Sequence, residues 1–249
     1  MSRKPAHKSG KSRSRSAANS RRPRGTGASY VYDSLKAQIL DLALQPSTLL
    51  DETELSLQFG VSRSPVREAL IRLSAEGLVQ NLRNRTSIVA PFDVAHLPAF
   101  FDAMMLLYRL SARMAAAHVD ATRIEHLRST QREHEAAIAH GDMKAIVRLN
   151  RQFHVGIAEM SGNSFIVRWM EELLDQGQRV LRLYARHQDD RLSVDVLKAH
   201  RDMIAAIAAG DVDCAEAAGR ADASTMIEEF RKTLSDLPST HLSLKATPR

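Results

Sequence analysis

A mainly α-helical chain in two parts is the fold class this sequence predicts: a head of three short helices closed by a β-hairpin, then an all-α antiparallel helical bundle. Three observations predict it. Apolar residues recur at helical spacing from Tyr30 to about Leu234. Pro46, Gly60, Gly77 and Pro91 cut the first part of that span into short pieces. Beyond Asp93 the breaks fall near Asp120, Gly141-Asp142, Ser161-Gly162-Asn163, Gln188-Asp189-Asp190 and Gly210-Asp211, spacing six helices of roughly 18–27 residues.

The chain of 249 residues has a formal charge of +6, and that charge is concentrated at one end. Residues 1–27 hold nine Lys/Arg and no acid, which leaves −3 for residues 28–249. The segment is rich in Ser, Gly and Pro, and residues 2–29 contain no Leu, Ile, Val or Phe, so it is expected to be a disordered basic tail. A transit peptide, a phosphate-attracting arm and a solubilising extension are its competing readings. No run of eighteen apolar residues is present, which excludes a helical membrane span. The single cysteine, Cys214, cannot pair within the chain, and a reducing, cytoplasmic setting is expected.

Element by element, YVYDSLKAQILDLAL (30–44) places Val31, Leu35, Ile39 and Leu42 on one helical face. DETELSLQF (51–59) offers Asp51 as N-cap, acids in the first turn, and Leu55 and Phe59 on one face before Gly60. The third helix has Ser62 as N-cap, Pro65 in its first turn and the inward stripe Val66, Leu70, Leu73. Arg63 and Arg67, four apart, project from one side of it. Two short runs follow, LVQNLR (78–83) and SIVA (87–90), joined by NRT (84–86), and read as a hairpin. Three helices with a tight turn between the second and third, then a hairpin, make a winged helix-turn-helix. Such a unit presents the start of its third helix to a DNA major groove. The head is not basic in sum, with six Lys/Arg against seven acids over residues 28–91. Most of the acids, however, lie on the first two helices, and most of the arginines on the third helix and wing.

In the bundle, three polar groups interrupt apolar stripes. His154 lies four residues after Asn150 among Ile146, Phe153 and Ile157; His200 lies on the stripe Val196, His200, Met203, Ile207; Asp222 lies on Ala215, Ala218, Asp222, Met226. Buried unpaired, each would cost about 1–3 kcal/mol, so they must meet one another, water or a ligand. The remaining histidines, His118, His126, His134, His140 and His187, fall near helix ends or on polar faces and are expected to be solvated.

The run VSRSPVREALIRLSAEGLV (61–79) resembles the DNA-reading head of GntR-family transcription regulators. LNRQFHVGIAEMSGN (149–163) and KAHRDMIAAIAAGD (198–211) resemble the ligand-binding domain of the FadR branch, the FCD type. The resemblance covers roughly residues 30–234 and leaves out both ends. Between the basic tail at 1–27 and a frayed end at 235–249, both read from composition and pattern, it implies a bacterial protein, nucleoid-associated when DNA-bound, with a DNA-binding domain at 28–91 and an effector-binding and dimerisation domain at 92–234. It further implies a homodimeric repressor that binds a palindromic double-stranded DNA operator and answers to a small-molecule effector, an organic acid being one candidate. By match of motif, Arg63 and Arg67 would contact guanine edges or phosphates, with Ser62, Ser64 and Arg85 contacting the backbone. Thr53 stands where relatives often carry a third arginine, and Thr86 where the wing tip commonly has glycine. The four positions that bind a divalent metal in many relatives, as Asp, His, His and His, are here Asn150, His154, His200 and Asp222. That set suits Zn, Ni or Mn, with a metal-free polar cluster as the alternative. Relatives often keep an acid-x-Arg pair on the first bundle helix; FDAMMLLYRL (101–110) keeps Asp102 but has Met104 for the arginine. Arg109, Arg179 and Arg182 are the replacement cations for an acidic effector.

No nucleophile motif, Gly-rich phosphate loop or HExxH is present, and GVSRS (60–64) follows a helix rather than a strand. An enzyme is therefore not expected. A metal-sensing regulator, and a constitutive DNA binder whose bundle serves only dimerisation, are the alternatives within the regulator class.

Overall fold

The computed structural model describes residues 26–82, 86–91, 94–187 and 195–236. The head comprises α1 (Thr26–Leu40), β1 (Leu49–Leu50), α2 (Glu52–Phe59), α3 (Arg63–Ala75), β2 (Val79–Asn81) and β3 (Ser87–Val89). Its core is the expected stripes: Val31, Leu35 and Ile39 of α1 meet Leu55 of α2, Val66, Leu70 and Leu73 of α3, and Val79 and Val89 of the wing. Burying each such side chain contributes about 1.5–3 kcal/mol. The Asp51 carboxylate caps α2 by accepting from the backbone N–H groups of Thr53 at 2.7 Å and Glu54 at 2.9 Å. Gly60 ends that helix in the left-handed conformation, φ 63°.

Three details depart from the sequence reading. Helix α1 starts at Thr26 and stops at Leu40, because Leu42 takes φ 55° and leaves the helix. Leu42 still reaches the core from the turn, only 3% exposed. The two-residue strand β1, too short to show a period, pairs antiparallel with β3 and gives the sheet order β1-β3-β2. Ser62 occupies the N-cap position of α3, but its side chain makes no capping bond.

A single 3₁₀ turn (Val94–His96) leads into the bundle: α4 (Leu97–Ala117), α5 (Ala121–His140), α6 (Met143–Met160), α7 (Ser164–His187), α8 (Asp195–Ala209) and α9 (Val212–Asp236). These helices run 15 to 25 residues, the shortest being α8. Helix α4 lies at the centre, packed most extensively on α9 and also against α6, α7 and α8. The α4–α9 crossing is close because Gly219 has no side chain; a Cβ there would lie 2.7 Å from the Tyr108 carbonyl oxygen. Among the described residues, no helix is long and apolar enough to cross a membrane. The tail at 1–25 and the stretch 237–249 lie outside the described residues.

Head and bundle touch through α7. Asp41 takes an ion pair from Arg182 at 2.7 Å, and Gln176 donates to the Glu76 carbonyl at 2.9 Å. Lys36 of α1 pairs with Asp175 at 2.6 Å.

Candidate nucleic-acid interface and effector site

A groove between α2, α3 and the wing gathers Thr53, Arg63, Arg67, Ile71, Asn81 and Thr86. Arg63, Arg67, Ser62 and Ser64 are all exposed at the start of α3. Glu52, which the sequence reading did not single out, holds Arg67 in a bidentate pair, Nε to Oε1 at 2.9 Å and an Nη to Oε2 at 2.7 Å. The pair lowers the Glu52 pKa through the Arg67 hydrogen bond and ties the fork to the first turn of α2. Backbone N–H groups of Glu54 and Thr53 hold the Asp51 carboxyl below its ordinary pKa, with Arg63 adding to the effect. Arg85 lies outside the described residues.

In the bundle, helical spacing places His154 on α6, His200 on α8 and Asp222 on α9 around one buried point. Each is 0 to 2% exposed. The His154 Nε2 lies 3.3 Å from Asp222 Oδ2, and the His200 Nε2 lies 3.7 Å from Asp222 Oδ1. Tyr108 stacks on the His154 ring at 4.0 Å, and Phe153 stacks on the His200 ring at 4.0 Å. His200 Nδ1 meets the Gln131 side-chain oxygen at 3.0 Å. The Gln131 amide nitrogen is committed to Glu135 at 3.1 Å, so its oxygen accepts and His200 Nδ1 must donate. The lone pair is thereby left on His200 Nε2, which has no hydrogen-bond partner; neither has Asp222 Oδ2.

Burial raises the Asp222 carboxyl to about 8 and lowers the His154 imidazole to about 3. Burial, then the neighbouring His154 and His134, hold His200 well below its usual value. Near neutral pH both imidazoles are thus uncharged and the Asp222 carboxyl holds a proton, which a cation binding there would displace. Ligand atoms of the three residues all lie within 4.8 Å of one another. Two orphaned donor atoms, an oriented imidazole and an N₂O set fit a divalent cation. Asn150 stands apart from this trio in its bonding: it hydrogen-bonds Tyr108 instead.

Beside the cluster, Asn150 and Tyr108 lead into a cavity of about 40 Å³ walled by Phe100, Met104, Met226 and Phe230. Among the described residues its one lining cation is Arg151, not one of the three named from sequence. Arg109 instead binds Glu216 at 2.6 Å on an outer groove of α4. Arg179 reaches the Ala90 carbonyl, and Arg182 binds Asp41, so both face the head. Asp102 is exposed, away from the cavity wall. The physical reason is the turn of α7: residues 179 and 182 lie on its head-facing side. His134 corrects a further expectation. It is 2% exposed, its ring lies 5.5 Å from that of His200, and both its nitrogens lack partners. His118, His126 and His140 are exposed.

A winged helix-turn-helix head with arginines at the lip of α3, set on a helical bundle with a buried polar centre, defines a DNA-binding transcription regulator. The description "Bacterial regulatory proteins, gntR family" matches residues 28–89, and "FCD domain" matches residues 99–224. The chain belongs to the GntR family of transcription regulators, in its FCD branch, and is not an enzyme. It is 30% identical over 224 residues to an uncharacterized HTH-type transcriptional regulator in an unstable DNA locus of Streptomyces ambofaciens, covering 87% of this chain and 90% of that one. It is 27% identical over 188 residues to the HTH-type transcriptional repressor RspR of Escherichia coli, covering 76% and 82%. The fold is similar to that of Escherichia coli McbR/YncC, with a TM-score of 0.70, 20% identity, and coverage of 87% and 99%.

Proposed function

We propose that this regulator is a homodimeric repressor of a palindromic operator, released by a small-molecule effector that binds beside a divalent metal held by His154, His200 and Asp222. The observation that carries the reading is the buried cluster itself. Three polar side chains from three helices converge, and two of their atoms, His200 Nε2 and Asp222 Oδ2, make no hydrogen bond, a cost of about 1–3 kcal/mol each that a ligand would relieve. Zn, Ni or Mn would supply a Lewis-acidic centre for an anionic or carbonyl group. Asn150 and Tyr108, next to the cluster, would orient the ligand's polar end, and the apolar wall would take its body. At that size the cavity admits only a few atoms, so a larger effector needs the flexible Met104 and Met226 to move.

Dimer formation is supported by α4, which carries a second apolar stripe. Leu106 is 64% exposed and Leu110 43%, and Trp169 of α7 lines the same outer groove, 47% exposed. A patch of this kind marks an interface. Operator reading is supported by Arg63 and Arg67, whose forks match O6 and N7 of guanine. The name of RspR, a repressor, supports the polarity.

Elemental analysis of the purified protein tests the metal. One divalent ion per chain is expected for the wild type and for Asn150→Ala, and less than a tenth of that for His200→Ala and Asp222→Ala. A wild type without metal, after purification free of chelators and after incubation with Zn, Ni and Mn in turn, would sink it.

A further inference from the structure

Asp175 is shared between two cations from different parts of the molecule. Its Oδ1 accepts from Arg151 Nε at 3.0 Å, at the cavity wall, and its Oδ2 pairs with Lys36 Nζ at 2.6 Å, in the head. Its side chain is 8% exposed, so neither pair is diluted by water as a surface pair would be. Lys36 also binds Glu76 Oε2 at 2.9 Å, and Tyr32 donates to Glu76 Oε1 at 2.7 Å. Glu76 is the C-cap of α3, and Arg72 of that helix lies 3.8 Å over the Tyr32 ring. A continuous run of charges thus joins the cavity to the helix that carries Arg63 and Arg67. Burial alone would lower the Lys36 pKa, but hydrogen bonds to Asp175, Glu76 and Tyr32 raise it above the usual lysine value.

We propose that Arg151 anchors a small carboxylate in the bundle cavity, and that Asp175 passes the occupancy of that site to the head through Lys36. This rests on the reading of the chain as effector-responsive. Asp175 already holds Arg151 as a ligand carboxylate would, and Arg151's other acidic partner, Glu171, is looser at 3.5 Å. Arg151 and Lys36 share the negative charge of one carboxylate, each on its own oxygen. An anion that neutralises Arg151 leaves Asp175 to Lys36 alone, and α1 is drawn more firmly onto α7. A head so held is less free to settle into an operator. The coupling is reciprocal: DNA that pulls Lys36 away strengthens the hold of Asp175 on Arg151 and weakens the anion.

The tie is testable without knowing the effector, because Arg151→Gln removes the same charge that a bound anion would neutralise. Hydrogen–deuterium exchange is measured on the full chain for amides of residues 26–40 and 70–79. Arg151→Gln slows exchange in both segments at least threefold, and it changes neither when Asp175→Asn or Lys36→Gln is already present. Equal slowing in those backgrounds, or none in the wild-type background, overturns the proposal. Should Asp175→Asn fail to fold, the Lys36→Gln arm decides by itself. Exchange is read with neither DNA nor effector, so its failure leaves the effector reading standing. An operator affinity indifferent to every carboxylate would sink the effector reading while leaving this tie measurable.

Discussion

His134 shows what a buried imidazole costs when it has no partner. Its neighbours in sequence, Glu133 and Glu135, make that face of α5 read as solvated, yet the ring is packed against the His200 centre. Burial, with a smaller opposing effect of Glu135, lowers its pKa from 6.5 to about 4. The unfolded chain therefore binds this proton more tightly than the folded one. The stability tied to neutral His134 is fully present above about pH 6.5 and is lost as pH falls toward about 4, by about 3 kcal/mol. His134→Leu is expected to flatten the acid limb of the stability–pH curve by about that amount, measured by urea unfolding at pH 4.5 and 7. An unchanged limb would contradict the assignment. His154, His200 and Asp222 were legible because each interrupts a clean apolar stripe. Arg151 was not: it directly follows Asn150, about 100° round α6, where sequence shows only a charge turned toward water.

The elements of the head were largely readable, because capping and breaking residues fix helix ends more sharply than periodicity does. Asp51 and Gly60 bound α2, and the stripe of α3 is fully buried. The end of α1 misled because Leu42 continues the apolar pattern from a turn, and β1 has two residues, too few to show alternation. Missing from sequence altogether was the link between α2 and α3, where Glu52 clamps the Arg67 fork. Such a pair is exposed and adds little to stability, about 0–1 kcal/mol. Its effect is on aim. Arg67→Ala is expected to cost about 1–3 kcal/mol of operator affinity and little on random DNA, with fluorescence anisotropy as the readout. Glu52→Gln should show part of the same selective loss by freeing the fork. Equal losses on operator and random DNA would make Arg67 a phosphate contact.

At the scale of the molecule, the bundle contributes three things that the head lacks: a buried polar centre, an apolar outer groove on α4, and charged side chains on α7 that grip the head. Only the first showed in the sequence, since stripes reveal what faces inward. Arg179 and Arg182 were legible as cations but not by destination, because α7 turns them toward Ala90 and Asp41 rather than the cavity. The central claim is that occupancy near His154, His200 and Asp222 sets the grip on DNA. It is tested most directly by titrating a panel of small carboxylates, from acetate to citrate and benzoate, into metal-loaded protein bound to its footprinted operator. At least one should weaken operator binding tenfold or more on the wild type and leave His200→Ala unaffected. An affinity that stays constant across the whole panel would contradict the account.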